Sequence, residues 1–146
     1  MFKIKHFNDL NVNDMYEIAK SRYEIFACEQ KITSENDFDD VDKECFHVFK
    51  EVDGKVVAYS RIIPKAYSSY EDVSIGRVLV LPSYRGQGLA KSMMKSCVDF
   101  IIYNLHEKHI TLSAQTYIKS LYESIGFKEI SPVYDEVGIP HVKMRL

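Results

Sequence analysis

The sequence predicts an α/β (α+β) fold, a mixed central sheet of about six to seven strands flanked by helices. Three observations predict it. Apolar residues alternate with period two in several short stretches, as half-buried strands require. Between them, apolar residues recur at helical spacing, most clearly over Leu89–Ile101. The two patterns interleave in the order β, α, hairpin, β, α, β, α, β, β, so helices cross between strands.

Each element has its own signal. The opening "MFKIKHF" alternates and gives the first strand. From Asn13 onward Met15, Ile18, Ala19, Ile25 and Phe26 fall at helical spacing, with Asn11 or Asn13 as the cap. "SENDFDDVDKE" (34–44) is an acidic, turn-rich connection. "CFHVFKEV" and "KVVAYSRII" read as two strands joined at Asp53-Gly54, a dipeptide favoured in tight hairpins. After the polar loop "YSSY", the run "DVSIGRVLVL" is a strand that Pro82 closes. Leu89, Met93, Cys97 and Ile101, with Met94 and Val98 beside them, form the apolar stripe of a long helix. "HITLSAQ" is a short strand, and "YIKSLYESIGF" a short helix with Gly126 as a left-handed C-cap. The tail "KEISPVYDEVGIPHVKMRL" reads as two strands around a turn at Gly138.

Composition narrows the function. A single domain spanning 1–146 is expected, since a chain of this size buries about 68–70% of its extended surface and needs no disulfide or metal to hold a core. The formal net charge of −2 leaves no basic footprint for nucleic acid. Cys28, Cys45 and Cys97 are scattered and odd in number, so neither a zinc site nor a disulfide framework is expected, and a reducing cytoplasm is the simplest setting. No apolar run approaches the ~20 residues of a membrane span, and the N-terminus lacks a secretion-signal pattern. A monomer or homodimer is expected.

The junction "VLVLPSYRGQGLAKS" carries the chemistry. Glycine at a strand–helix junction lets the backbone turn sharply and approach a ligand closely. The first amides of the following helix lack intrahelical partners and carry partial positive charge. Arg85 at the lip adds a guanidinium matched to phosphate oxygens. Arg85 to Lys91 is therefore a diphosphate cradle. It is not a nucleotide-triphosphate loop: Lys91-Ser92 would end that motif, but Arg85 and Ala90 occupy its glycine positions. The dinucleotide pattern fails as well, because its last glycine position is Lys91.

Arg85-Gly86-Gln87-Gly88-Leu89-Ala90 matches R/Q-x-x-G-x-G/A and resembles the acyl-CoA pyrophosphate loop of the GNAT N-acetyltransferases. "LYESIGF" (121–127) resembles the family's late helix-and-strand motif, and the order of elements resembles its fold over nearly the whole chain. "FACEQ", "VAYSRII", "SIGRVLV", "SAQ" and "VYDEVGIPHVKM" resemble the ElaA-like branch more narrowly. The resemblance implies a GNAT-like acyl-CoA N-acyltransferase fold. It also implies transfer of an acetyl group from acetyl-CoA to a primary amine of a small molecule or peptide, without a metal.

The resemblance also distributes roles. Gly86, Gln87, Gly88, Leu89, Ala90 and Lys91, with Arg85, would hold the pyrophosphate. Val78, Leu79 and Val80 would lie beside the pantetheine arm, with a backbone N–H near Leu79 facing the thioester oxygen. Gln115 sits where relatives often place an Asn that touches the cofactor. Tyr122 falls on the family's usual general acid, although a tyrosine on a short amphipathic helix is also a common core residue. Many relatives place a general base, a Glu, near the position of Ser74, where this chain has no carboxylate. Glu29 is the first replacement candidate, with His47 and His141 behind it. Arg61 and Arg77 are candidates to bind an acceptor carboxylate; ion pairs with the acidic run 35–44 are the structural alternative, for them and for Arg22. That acidic run could also attract a cationic amine. The missing carboxylate keeps a second function open, an acyl-CoA-binding regulatory module with little turnover.

Overall fold

The computed structural model describes residues 1–146. Its central hairpin is set by the turn: Asp53 (φ +51°) and Gly54 (φ +78°) both hold left-handed backbone, as a two-residue type I′ turn demands. They join β2 (Phe46–Val52) to β3 (Lys55–Ile63). β1 (Lys3–His6) pairs with β2 and β4 (Ser74–Val80) with β3, giving an antiparallel sheet in the order β1-β2-β3-β4. A second sheet is built on β8 (Ile139–Arg145). It pairs antiparallel with β5 (Thr111–Gln115), β6 (Lys128–Glu129) and β7 (Tyr134–Glu136).

The mixed α/β class stands, with eight strands rather than six or seven. The extra strand comes from the tail, where Ser131-Pro132 separates β6 from β7. Proline has no N–H to give a ladder, so the pairing breaks there. The two sheets touch through one parallel bridge, Val73–Ile110, with the Thr111 N–H donating to Val73 O at 3.0 Å. Beyond it β4 and β5 diverge. Each edge runs free along the gap, and this gap positions the candidate site.

Asn11 caps α1 (Val12–Arg22). Its side chain accepts from the Asp14 N–H at 2.7 Å, and Asp14 accepts from the Asn11 N–H at 3.2 Å, a reciprocal capping box. The helix then widens into a π-helical stretch, Tyr23–Glu29, closed by the Gln30 N–H donating to Ile25 O at 2.8 Å. The remaining helices are α2 (Leu89–Tyr103) and α3 (Lys119–Glu123). α1 and its extension bury Ile18, Ile25 and Phe26 on one face of the first sheet, against Phe49, Val57, Tyr59 and Leu79. α2 buries Met93, Met94, Cys97 and Ile101 on the opposite face, against Val48, Ala58 and Ile62. Burying each such large apolar side chain contributes roughly 1.5–3 kcal/mol. Adjacent strand residues therefore serve different cores, as the period of two requires. No helix is long and apolar enough to cross a membrane.

Candidate active site

Where β4 and β5 part, a cleft of about 420 Å³ opens between the sheets. Ser74, Gly76, Arg77 and Val78 form one wall, Ser113, Gln115, Glu136 and His141 the other, and Tyr122 also lines it. A hollow of about 460 Å³ between β1 and α2 is slightly larger, but it is lined by residues such as Phe2, Lys50 and Tyr103 and contains none of the predicted site residues. The cleft is the chemically equipped of the two.

The β4 wall is irregular. Tyr59 pairs with Leu79 and Arg61 with Gly76, so Arg77 and Val78 together oppose Ser60 in a β-bulge. Arg77 takes φ +53°, a left-handed conformation rare for a non-glycine residue. Val78 lines the cleft, Leu79 is buried against the α1 core, and Val80 ends the strand. The bulge takes two residues out of the regular ladder at the middle of the free edge.

The predicted phosphate turn follows directly. Gly86 (φ +79°) and Gly88 (φ +78°) both need the left-handed region, and a Cβ added at either would meet nothing within 4 Å. Gly88 caps α2 without a side-chain hydrogen bond, which leaves the first-turn amides from Leu89 to Lys91 facing outward. These residues fit an acyl-CoA diphosphate: the turn is unobstructed and its donors lack a side-chain cap. Gln87 and Lys91 are exposed on the turn, and Ala90 is half-buried.

Arg85 fixes the turn at the end of β4, with its Nε donating to Val80 O at 2.9 Å. Its two terminal nitrogens reach Glu29 at 2.9 and 2.7 Å. The structure thus joins two predicted site residues to each other. Glu29 does not line the cleft, and Arg85 holds its carboxyl below the usual range, the wrong direction for a proton acceptor near neutrality. The π-helical end of α1 points Glu29 at the phosphate turn and Gln30 into the cleft, where Gln115 Nε2 donates to Gln30 Oε1 at 3.2 Å.

Tyr122 is held by the way α3 stops. The Phe127 N–H donates to Tyr122 O and the Gly126 N–H to Glu123 O, both at 3.1 Å, the paired bonds of a Schellman cap. Gly126 (φ +112°) permits the turn, and the Phe127 ring meets Tyr122 edge-on at 6.0 Å. The residue is only 3% exposed, yet it lines the cleft and its hydroxyl has no hydrogen-bond partner in the chain. Burial pushes its pKa well above the ordinary value, so the phenol keeps its proton.

Arg61 and Arg77 both line the cleft, but aspartates already engage them. Arg61 reaches Asp39 at 2.6 and 2.9 Å and Asp42 at 2.8 Å. Arg77 reaches Asp37 Oδ1 at 2.9 Å. Buried Arg22 reaches Asp37 and Asp42 at 2.8 and 3.0 Å and lies over the Phe38 ring at 4.2 Å. The acidic run therefore folds back onto three arginines. His47 belongs to this layer rather than to the cleft: Nδ1 lies 2.6 Å from the Tyr59 hydroxyl and Nε2 2.9 Å from Asp42 O. Burial pushes its pKa down.

The opposite wall surrounds His141 with Glu136, Ser113 and Tyr134, three residues that no motif in the sequence marks. His141 Nε2 lies 3.3 Å from Glu136 Oε2, and Ser113 Oγ is hydrogen-bonded to the Tyr134 hydroxyl. The one available signal was Gly138: a two-residue turn ending there puts Glu136 and His141 on one face of a hairpin.

A family model described as "Acetyltransferase (GNAT) domain" matches residues 13–146. The chain belongs to the GNAT acetyltransferase family. Within it, the chain is 39% identical to the UPF0039 protein C11D3.02c of Schizosaccharomyces pombe, over 99% of this chain and 95% of that one. It is 31% identical to the protein ElaA of Escherichia coli, over 95% of this chain and 91% of that one. The crystal structure of ElaA superposes with a TM-score of 0.89, covering 99% of this chain and 98% of that one. An acyl-CoA N-acyltransferase from Pseudomonas aeruginosa, 30% identical, superposes equally well at 0.89, with the same coverage of 99% and 98%. The ElaA-like branch of the GNAT family is thus where this chain sits, and acyl transfer is the general activity that the family supports.

Proposed function

We propose that this GNAT chain moves an acetyl group from acetyl-CoA to a primary amine of a small molecule or peptide, by direct attack of the amine on the thioester. One observation carries the reading: the bulged free edge of β4 runs from the amide-rich turn at Gly86–Lys91 into the cleft that Tyr122 lines with an unpartnered hydroxyl. The thioester supplies an activated acyl group, so the protein has to position the reactants and stabilise developing charge. Gly86 to Lys91 hold the diphosphate through main-chain donors, and Arg85 can turn from Glu29 to join them. Val78, Leu79 and Val80 offer backbone groups to the pantetheine amides, and the N–H near Leu79 faces the thioester oxygen. Gln115 contacts the cofactor from the β5 side. Tyr122 gives its proton to the departing sulfur.

A cleft of about 420 Å³ that must hold both the reactive end of the cofactor and an acceptor favours a small acyl group. Glu35, Asp37, Asp39 and Glu136 outnumber Arg61 and Arg77 along the cleft, which favours an ammonium as the arriving acceptor. For Arg61 or Arg77 to bind an acceptor carboxylate, one of their aspartates must be displaced. The three cysteines are free thiols, which suits a reducing cytoplasm.

The second reading, an acyl-CoA-binding module with little turnover, is favoured by one feature: β4 brings Ser74 rather than a carboxylate to the cleft. Calorimetry with coenzyme A and thiol release from acetyl-CoA with a panel of amines separate the two. The transferase gives heat and thiol, with diamines and alkylamines ahead of amino acids. Heat without thiol means the module. No heat overturns both.

A further inference from the structure

An acceptor that arrives as an ammonium ion must lose a proton before its nitrogen can attack. β4 has no carboxylate to take it, but the opposite wall has a histidine built for the task. Val137 (φ +48°) and Gly138 (φ +78°) form a left-handed turn between β7 and β8. The turn pairs Glu136 with Ile139 and Tyr134 with His141, so Glu136 and His141 are diagonal neighbours on one face. His141 Nδ1 lies 2.7 Å from Ile139 O. A carbonyl only accepts, so Nδ1 carries its hydrogen and Nε2 is the nitrogen left to gain or lose a proton. The Tyr134 ring stacks on the imidazole at 6.2 Å and 25°. The His141 side chain is 6% exposed and the Glu136 side chain 49%, so the pair runs from the cleft wall to solvent.

We propose that His141 Nε2, oriented by Ile139 O and paired with Glu136, is the atom that accepts the proton of the acceptor ammonium. This rests on the transferase reading above. His141 takes the first proton from nitrogen, Glu136 balances the imidazolium, and the proton leaves to water. The C–N bond then forms at the thioester carbon, and the C–S bond breaks. Tyr122 protonates the sulfur and regains its proton from solvent, which receives the second proton of the nitrogen. One proton is released per acetyl group moved.

No other charged group is within ion-pair distance of this imidazole. β7 also brings Tyr134, and β5 brings the uncharged Ser113 and Gln115. On β8, Lys143 lies over the rings of Tyr70 and Tyr134. Across the cleft, Arg61 and Arg77 are matched by Asp37 and Asp39, Tyr122 is a neutral phenol, and Glu35 stands without a salt bridge.

The test compares two acceptors: an alkylamine, protonated at neutral pH, and a weakly basic amine already neutral there. Profiles of kcat/KM against pH are taken with acetyl-CoA for wild type, His141→Gln and Glu136→Gln. His141→Gln should lower kcat/KM for the alkylamine about 100-fold and abolish the acid limb of its profile, while the weak amine loses less than about threefold. Glu136→Gln, at an exposed side chain that folding tolerates, should give a smaller loss in the same direction. Equal losses for both amines would mean a structural role and overturn the proposal, as would an unchanged alkylamine rate. If wild type binds acetyl-CoA but acylates neither amine, the transferase reading falls and this inference with it. If wild type acylates both and the variants track it, this inference alone falls.

Discussion

Burial makes the Tyr122 side chain a poor place for negative charge, so the phenol stays protonated near neutrality and can offer a hydrogen bond into the cleft. Its ring packs on Phe127, while its hydroxyl bonds to nothing in the chain. Phenylalanine in its place keeps the packing and removes only the donor. Tyr122→Phe should therefore lower kcat about 100-fold or more and change coenzyme A affinity by less than about threefold. Steady-state kinetics and calorimetry measure the two, and an unchanged kcat would make Tyr122 a packing residue. The place of Tyr122 was legible because its motif is local: Tyr122 to Phe127 is one helix end with its cap. Glu29 was not legible. Its place after the first helix could be read, but its direction depends on the π-helical widening at Tyr23–Glu29, which redirects it toward Arg85.

At the scale of elements, turns decided what could be foreseen. Asp53-Gly54 announced a hairpin because both residues tolerate the left-handed backbone that the turn requires. The tail announced only Gly138, since its partner in the turn is Val137, a β-branched residue at φ +48°. The same concealment covers the β4 bulge, where the permissive Gly76 stands beside Arg77 in "SIGRVLV" and yet Arg77 is the left-handed residue. Strain of this kind costs about 1–2 kcal/mol and persists where surrounding structure dictates it. Val137→Asn should relieve much of it, stabilising the protein by about 1 kcal/mol and raising Tm by about 3 °C. Thermal denaturation measures this; a lower Tm would show that the valine side chain packs for more than its backbone costs.

Across the whole molecule, the arginine–aspartate layer ties the loop at 34–44 to β3, β4 and α1, and so supports one wall of the cleft. The acidic run and the three arginines were each visible in the sequence. Their pairing was not, because it joins residues some 15 to 40 positions apart that only the folded sheet brings together. This layer makes stability depend on pH in one direction. Burial pushes His47 below its ordinary 6.5, so as pH falls through that value the unfolded chain binds a proton that the folded chain refuses. Within the layer Arg61 holds Asp39, and outside it Arg145 holds Asp72, below the ordinary 3.8, so below that value the unfolded chain again takes protons first. Stability is thus fully present near neutrality and falls on acidification in two stages, the first beginning near pH 6.5 and the second near pH 4. Denaturant unfolding at a series of pH values should show both. In His47→Gln the first stage should flatten while the second remains, because the glutamine amide does not titrate and the carboxylate pairs are untouched. A first stage of undiminished slope in that variant would assign it to a different histidine and leave the buried imidazole a spectator.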